Sequence, residues 1–283
     1  VWEHPSLVQL WGPRFNVYVV AGSDVAPFTL GRLPDSGPKL DRAETMASRL
    51  HDHLQGEAME YAQAGRALGV DPNALRYGAP TGTILLRWEG ARRPVVWTQP
   101  RPAVDPTEAR MELARRFLHV LGPGTPQSFG RWAGIRSPRD RKAFEWLGDE
   151  LISVSTPIGE AWILATDEES FRQGPGMPAA ARLLPSGDAY YLLWGSDRQV
   201  LVPDEKCQKE LWTSRVWPGA VLVGGEVVGV WRRSQHKITI EPWQELSPGE
   251  REAVEAEAIS LPMYFACVAG SVIISALPWS AVM

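Results

Sequence analysis

The chain has 283 residues, a formal net charge of −4 and 44% hydrophobic residues. This length allows about two to four small modules, and the composition is that of a globular protein and excludes one dominated by disorder. A net negative charge argues mildly against a protein that coats nucleic acid everywhere. Two cysteines, Cys207 and Cys267, are too few for a disulfide framework and lack the spacing of zinc ligands. We therefore expect a cytoplasmic protein with no metal and no cofactor.

The N-terminal segment predicts a β-hairpin, because apolar runs with strand character lie on both sides of a Gly-Pro turn. The hairpin resembles the last third of the block described next, so residues 1–38 are predicted to be the remnant of an incomplete first unit. Trp11 and Arg14 flank the turn. Such a pair on a rigid tip can stack on a base and contact a phosphate. Alternatively, Trp11 packs against helices of the first unit.

Residues 39–104 predict the complete block, two short helices followed by a β-hairpin. Gly69 allows the tight turn between the helices, and Asp71 can cap the second helix, whose first position is a proline. Two strand-like runs follow, Gly82–Trp88 and Arg93–Trp97. In this arrangement, a helix-turn-helix with a wing, the second helix can enter the major groove of DNA while the hairpin lies beside it.

Residues 105–168 repeat the same order of elements. Thr125–Ile135 predicts a helix and a turn, and a Ser-Pro pair then opens a second helix at Arg139–Gly148. The runs Leu151–Ser155 and Glu160–Ala165 predict a second wing. A repeated supersecondary block argues for tandem modules.

Beyond a linker rich in glycine and proline, Phe171–Pro178, the chain changes character. Residues 179–283 are predicted to form a small β-barrel-like domain. An acidic helix, Pro248–Ile259, closes it, with Ser247 as its N-cap and Glu250 as the capping-box partner. The short apolar runs in this region are Arg182–Leu184, Tyr190–Trp194, Gln199–Val202, Ala220–Val223, Val227–Arg232 and His236–Ile240.

The C-terminal tail, residues 261–283, is apolar. Glycine, serine and proline interrupt it and no basic flank anchors it, so we expect a final barrel strand at Gly270–Ala276 and no membrane span. The fold class predicted for the whole chain is therefore α+β, with tandem winged-helix modules followed by a small C-terminal β-barrel-like domain.

Arginine and lysine are clustered on the two predicted helix-turn-helix blocks, whereas glutamate crowds the C-terminal third. Clustering at equivalent positions of two motifs is what an electrostatic footprint on DNA requires. The alternative is that these residues are the solvated faces of ordinary helices. The candidate DNA-binding residues are Trp11, Arg14, Arg76, Arg87, Arg92, Arg93, Arg131, Arg139, Arg141 and Lys142.

Most other tryptophans are predicted to be core residues. They alternate with apolar neighbours in the strand-like runs, which is the pattern of a strand with one buried face. Trp11 is different, because its predicted place is a hairpin tip. The tryptophans assigned to the core are Trp88, Trp97, Trp162, Trp194 and Trp231.

Three segments, taken in order, carry a resemblance to a known family. They are Arg110–Gly134, Arg182–Tyr191 and Trp217–Arg233. They resemble the bacterial winged-helix DNA-binding family that includes the AlkZ-type and YcaQ-type DNA glycosylases, and the resemblance spans nearly the whole chain. It implies tandem winged helices followed by a β-barrel, and a function in excising bulky alkylated bases or unhooking interstrand crosslinks.

The resemblance also implies a catalytic centre that this sequence does not contain. That centre is a glutamine, an apolar residue and a second glutamine or an aspartate, located in the first winged-helix unit. Gln9 is followed by Leu10 and Trp11, and no Gln-x-Gln occurs elsewhere. We therefore expect the catalytic segment either to precede Val1 or to be absent from this branch. Asp188 is the one carboxylate that remains as a candidate, and its alternative is an Asx-turn residue.

The sequence thus predicts a monomeric protein that binds duplex DNA, damaged or alkylated, in the cytoplasm at the nucleoid, without a membrane or a metal. Its predicted class is that of the DNA glycosylases, with winged helices that hold the duplex. The alternative is a regulatory or architectural protein that binds DNA in the same way but catalyses no reaction.

Overall fold

A computed structural model describes residues 6–88, 92–135, 138–174, 176, 178–192, 197–234 and 237–261, together with the backbone of 271–274. Trp194, Cys267 and the remainder of the C-terminal tail lie outside the described residues. By its internal contacts the chain divides into two compact units. The first comprises Val1–Ser155 and Glu160–Glu168, and the second comprises Thr156–Gly159 and Glu169–Met283.

The first unit begins with the predicted hairpin. Strand β1 (Leu7–Trp11) pairs antiparallel with β2 (Val17–Ala21), and a short 3-10 turn, Pro13–Phe15, joins them. A short helix, α1 (Val25–Thr29), and a further 3-10 turn, Leu30–Arg32, follow.

Residues 38–98 form three helical segments followed by a hairpin, and the last two of these segments are the predicted helix pair. Gly69 has a φ of +66°, in the left-handed region that a glycine adopts without strain, and the side chain of Asp71 accepts a hydrogen bond from the Asn73 amide at 2.7 Å. The turn and the cap are therefore those predicted. The second helix of the predicted pair, however, is a 3-10 helix that contains Pro80. The elements are α2 (Pro38–Leu54), β3 (Met59–Glu60), α3 (Tyr61–Ala67), the 3-10 helix Pro72–Thr81, β4 (Ile84–Arg87) and β5 (Val95–Thr98), with the three strands in the order β3-β5-β4.

Residues 106–173 form three helices, a hairpin and a short fourth helix, so a helix pair again precedes a hairpin. Thr125 and Ser128 form a capping box at the start of α5, which satisfies backbone donors that the first turn leaves free. Phe129 is fully buried and packs with Phe117 and Trp132 in an aromatic core. The elements are α4 (Pro106–Leu121), α5 (Pro126–Ala133), α6 (Arg139–Leu147), β6 (Leu151–Thr156), β7 (Gly159–Leu164) and α7 (Glu168–Gln173).

The second unit contains one five-stranded sheet in the order β12-β11-β10-β9-β8. β12 is parallel to β11, and the other neighbours are antiparallel. The acidic helix begins as predicted, since Ser247 and Glu250 form its capping box. The elements are β8 (Ala181–Leu184), α8 (Arg198–Leu201), α9 (Glu205–Leu211), β9 (Gly219–Val223), β10 (Glu226–Ser234), β11 (Lys237–Pro242), α10 (Pro248–Ser260) and β12 (Ser271–Ile274).

Two predictions for this unit need correction. Within the described residues the sheet is open, with β8 and β12 at its edges, so a closed barrel is not formed there. Two of the predicted strand-like runs are helical: Ala189–Tyr191 is a 3-10 turn and Arg198–Leu201 is α8. Short apolar runs do not by themselves separate a strand from a buried helical turn, which is why the pattern misled. The chain as a whole is a mixed α and β fold with several antiparallel sheets. None of the helices in the described part of the chain is long and apolar enough to span a bilayer.

Strand β1 is buried on both faces, although it belongs to a two-stranded hairpin. Side chains alternate along a strand, so Leu10 faces one core, with Val20 and Leu85, and Trp11 faces another, with Leu50. The first hairpin therefore shares its core with the helices and strands of residues 38–98.

The burial of Trp11 overturns the prediction that it projects from the hairpin tip. β1 extends through Trp11, which pairs with Val17, and the turn comes only afterwards. The indole is 6% exposed, and its ring lies 5.7 Å from that of Tyr61. Trp11 is thus a core residue, as the alternative held, but it packs against the helices of the following block.

We predict that Trp11→Ala lowers the free energy of unfolding by about 3–5 kcal/mol, because the change leaves a cavity in a packed core. Trp146, which is 43% exposed, provides the control, and Trp146→Ala should change stability by less than about 0.5 kcal/mol. Urea denaturation followed by circular dichroism measures both values. A Trp11→Ala protein of unchanged stability that binds DNA less tightly would contradict the buried position.

Candidate nucleic-acid interface

Three arginines surround two aromatic rings in the first unit. We call this group the arginine–aromatic cluster: Phe15, Arg32, Arg42, Arg76 and Tyr77. The two rings lie 5.4 Å apart in an edge-to-face arrangement. The guanidinium carbon of Arg42 lies 3.6 Å from the centre of the Tyr77 ring, that of Arg32 lies 5.0 Å from the centre of Phe15, and that of Arg76 lies 5.7 and 5.6 Å from Phe15 and Tyr77. These distances are within the range of cation–π attraction.

The hairpin tip places Phe15 in this cluster. Arg14 and Phe15 have φ values of 56° and 60°, in the left-handed region that side chains other than glycine rarely adopt. Gly12 lies so close to the ring of Tyr18 that an added Cβ would come within 2.6 Å of it. Glycine at this position and a strained backbone after it therefore turn the chain sharply, and Phe15 is directed toward Arg32 and Arg76.

Arg32 is the buried member of the cluster. Its Nε donates to the carbonyl oxygen of Ala133 and another guanidinium nitrogen donates to that of Trp11, both at 3.0 Å. Burial lowers the pKa of Arg32 to about 10, so the side chain still carries its positive charge at neutral pH. It is held by two carbonyl dipoles and the face of Phe15.

The positive charge of the cluster is not neutralised by acidic side chains. Arg32, Arg42 and Arg76 form no ion pair with a carboxylate in the part of the chain that the structure describes. The buried Nε of Arg76 also has no hydrogen-bond partner among the described residues. By contrast, Arg115 is held by Glu150 at 2.7 Å. An unneutralised group of guanidinium ions favours a bound anion, and a phosphate matches their planar donor geometry.

The structure brings only some of the predicted DNA-binding residues to this place. Arg76 is in the cluster and Arg14 is beside it at the tip, where burial is the main cause that lowers its pKa. Arg139 is half-buried and donates to the carbonyl oxygen of Leu33 at 3.1 Å, so it faces the protein. Six others are exposed and lie on the wing or on α5 and α6: Arg87, Arg92, Arg93, Arg131, Arg141 and Lys142.

Sequence reasoning missed Arg32, Arg42, Phe15 and Tyr77. Arg32 and Arg42 precede the helix-turn-helix pattern that drew attention to Arg76, and nothing in their local sequence marks them. The tip motif did indicate an aromatic beside an arginine, but at Trp11 instead of Phe15.

Asp188 lies in the second unit, where it caps a 3-10 turn. Its carboxylate accepts a hydrogen bond from the Tyr190 amide at 2.9 Å, which is the Asx-turn geometry. The neighbouring Tyr191 is fully buried, and its hydroxyl lies 2.7 and 2.9 Å from the carbonyl oxygens of Pro185 and Pro218, which share its one donor hydrogen. The Asx turn predicted as the alternative is therefore present at Asp188, and its candidate catalytic role stays a prediction. Among the described residues, no group of three or more histidine, cysteine or acidic side chains is arranged to hold a metal ion.

Gln9, the glutamine nearest to the expected catalytic pattern, is 7% exposed, and its side chain forms hydrogen bonds with the backbone of Trp88. Its side-chain oxygen accepts from the Trp88 amide at 2.8 Å, and its side-chain nitrogen donates to the Trp88 carbonyl oxygen at 3.3 Å. The indole of Trp88 is 48% exposed, so its assignment to the core is wrong. Trp97, Trp162 and Trp231 are partly buried and pack against core residues.

A surface with unneutralised arginines beside helices and hairpins is typical of a nucleic-acid-binding protein. The family model described as DNA glycosylase AlkZ-like matches residues 2–262. The chain therefore belongs to the AlkZ-like DNA glycosylase family.

Individual relatives agree with this assignment. The chain is 26% identical to a curated protein of Streptomyces sahachiroi named "Interstrand DNA cross-link repair glycosylase", over 89% of this chain and 77% of that protein. Among solved structures, Streptomyces sahachiroi DNA glycosylase AlkZ has the same fold, with a TM-score of 0.77 and 22% identity over 95% of this chain and 82% of that one. The comparisons do not support the expectation that a catalytic segment is missing, which stays a prediction.

Removal of the Arg32 side chain should destabilise the protein. We predict that Arg32→Ala lowers the free energy of unfolding by at least about 2 kcal/mol, because two buried carbonyl groups lose their donor. Arg42→Ala should cost only about 0.5–1 kcal/mol, the worth of an exposed cation–π contact with Tyr77. Urea denaturation of the two variants separates the structural arginine from the accessible one. Equal losses in both would contradict the division of roles.

Proposed function

We propose that this protein is a DNA-repair protein of the glycosylase type, which binds damaged duplex DNA through its first unit at the nucleoid. Family membership supports the class of activity. The single observation that supports the place of binding is the arginine–aromatic cluster, whose guanidinium groups lack carboxylate partners among the described residues.

We propose further that residues 39–104 and 105–168 are tandem winged-helix modules. In both segments a helix pair directly precedes the hairpin, α3 with the 3-10 helix in the first and α5 with α6 in the second, which supports this assignment. In such a module the hairpin lies beside the duplex when the second helix enters the major groove. The first hairpin, within residues 1–38, and the β-domain, residues 179–283, are the remaining parts of the proposed organisation.

The cluster suits phosphate because the groups are held in advance of binding. Arg32 is fixed by two carbonyl oxygens, and Arg42 and Arg76 are held against the rings of Tyr77 and Phe15. Side chains that are already ordered lose less conformational entropy on binding. Phosphate contacts set the register of a protein on DNA without reading its sequence, so the cluster would position the duplex.

The relative's name gives the first substrate that we propose, duplex DNA with an interstrand crosslink. The second, duplex DNA with a bulky alkylated base, is the one that the resemblance implies. Catalysis by the expected pair is a separate matter, because no glutamine in this sequence is followed two positions later by glutamine or aspartate. Gln9 is also engaged with the Trp88 backbone.

We predict that the double variant Arg42→Ala/Arg76→Ala binds duplex DNA more weakly at every sequence. Each phosphate contact that is lost should reduce the slope of log affinity against log salt by about 0.9. Arg92→Ala/Arg93→Ala tests the wing in the same way. Fluorescence anisotropy between 50 and 200 mM salt, a range over which such contacts change affinity by orders of magnitude, measures both.

Arg251→Ala is the matched control, since Arg251 is an exposed arginine on the acidic helix α10. It should leave affinity and salt slope unchanged. A wild-type titration with no salt dependence would contradict the proposed phosphate contacts. An unchanged slope in the Arg42→Ala/Arg76→Ala protein would place them elsewhere.

The glutamine pair is tested separately: if excision requires that pair, the 283-residue chain should bind duplex DNA carrying an N7-alkylated guanine without excising the base. Without the polar pair that would position the hydrolytic water, the glycosidic bond has no directed nucleophile. Counting abasic sites after incubation, with binding measured in the same samples, checks this. Excision above the spontaneous rate would show that other residues of this chain are catalytic.

A further inference from the structure

We propose that Trp88 stacks on a base exposed by a distortion of the duplex. This inference rests on the proposed function, because it needs the first unit to bind DNA. It assigns to the wing a contact that is made with damaged or distorted DNA and not with an intact helix.

The exposure of Trp88 is the first observation. It directly follows β4, and 48% of the residue is accessible. Tryptophan gains more than most residues from burial, since it can remove 150–250 Å² from water. An indole that is left half in solvent therefore forgoes a large stabilisation, which favours a role on the surface. Its flat face can stack on a base of any sequence.

The position of the Trp88 backbone is fixed, which is the second observation. The buried side-chain amide of Gln9 forms hydrogen bonds with both the backbone N–H and the backbone C=O of Trp88. Gln9 is 79 residues away in the sequence, so this is a long-range contact and not a feature of the wing alone. A side chain on a fixed backbone loses less freedom when it binds, and more of the stacking energy appears as affinity.

Strand β1 connects this contact to the arginine–aromatic cluster. Gln9 and Trp11 lie two residues apart on β1, about 7 Å along an extended strand. Gln9 holds Trp88, and the carbonyl oxygen of Trp11 accepts from Arg32. The Trp88 backbone and the cluster are therefore both positioned by the same strand of the first unit.

The neighbouring charges match a nucleic acid better than an apolar protein partner. Arg87 precedes Trp88 and is exposed, and Arg92 and Arg93 on the next arm of the hairpin are exposed as well. Glu60 pairs with Arg93 at 3.0 Å. An aromatic group among arginines is the combination that single-stranded or unstacked nucleic acid recognises. In an intact duplex both faces of each base are covered, so the contact selects distorted DNA.

The experiment compares two duplexes that differ only in a one-base bulge of 2-aminopurine, and it uses the full 283-residue chain. The variants are Trp88→Ala, Trp88→Phe and the control Trp146→Ala, which removes an equally accessible tryptophan from α6. We expect Trp88→Ala to weaken binding to the bulged duplex by about 5- to 150-fold, the equivalent of one stacking contact. Its affinity for the intact duplex and the affinities of the other two variants should stay within about twofold, an effect well below one such contact. Its melting temperature should be unchanged.

The fluorescence of 2-aminopurine gives a second readout, because stacking quenches it. Wild type and Trp88→Phe should quench the bulged base, and Trp88→Ala should not. If Trp88→Ala loses the same affinity for both duplexes, the proposal is overturned, because Trp88 then contacts the DNA backbone instead of a base. If Trp146→Ala loses as much affinity as Trp88→Ala, the proposal is also overturned, because removing any exposed tryptophan then weakens binding. If Trp88→Ala changes nothing while Arg42→Ala/Arg76→Ala weakens binding, Trp88 has no role and the proposed function stands. If wild type binds neither duplex, the proposed function itself fails.

Discussion

A buried guanidinium ion links the segments on which the candidate interface depends. Arg32 donates to the carbonyl oxygens of Trp11 and Ala133 and lies over the ring of Phe15. It therefore connects β1, the hairpin tip and the end of α5. A buried charge is costly unless hydrogen bonds or another charge compensate for it. Here carbonyl dipoles and an aromatic face do so, and the positive charge is not cancelled.

This choice of partners matters for binding. Where a carboxylate compensates an arginine, as Glu150 does for Arg115 through two hydrogen bonds of 2.7 Å, the pair is close to neutral and the arginine pKa is raised. The cluster retains its charge because Arg32 is held by neutral groups and Arg42 and Arg76 by rings. A phosphate that approaches it meets donors already ordered by the fold, in surroundings less polar than water, where charge interactions are stronger than in bulk solvent.

The hairpin tip and the wing each carry side chains on a backbone that the surrounding structure holds in place. Arg14 and Phe15 adopt a backbone conformation that costs energy, and such strain persists only where the surrounding structure enforces it. On the wing, the indole of Trp88 is exposed, and its backbone is held by hydrogen bonds to the buried side-chain amide of Gln9. β1 takes part in both. Its two buried faces make it the strand that sets the tip, the cluster and the wing relative to one another within the first unit.

The sequence by itself determined the local elements. The turn at Gly69, the cap at Asp71 and the capping box at Ser247 depend on contacts between residues close in the chain, and the pattern of a few residues specifies them. The order of the motifs along the chain likewise indicated the family, and the clustering of basic residues drew attention to Arg76.

Tertiary structure alone decided which side chains meet and which remain in solvent. Arg32 contacts a carbonyl oxygen 101 residues away, and Gln9 contacts a residue 79 residues away. No periodicity specifies such pairs, because they depend on how whole elements pack. For the same reason the sequence predicted an exposed Trp11 and a buried Trp88, and the structure shows the opposite. An alternating strand pattern gives the two faces but not which face another element will cover.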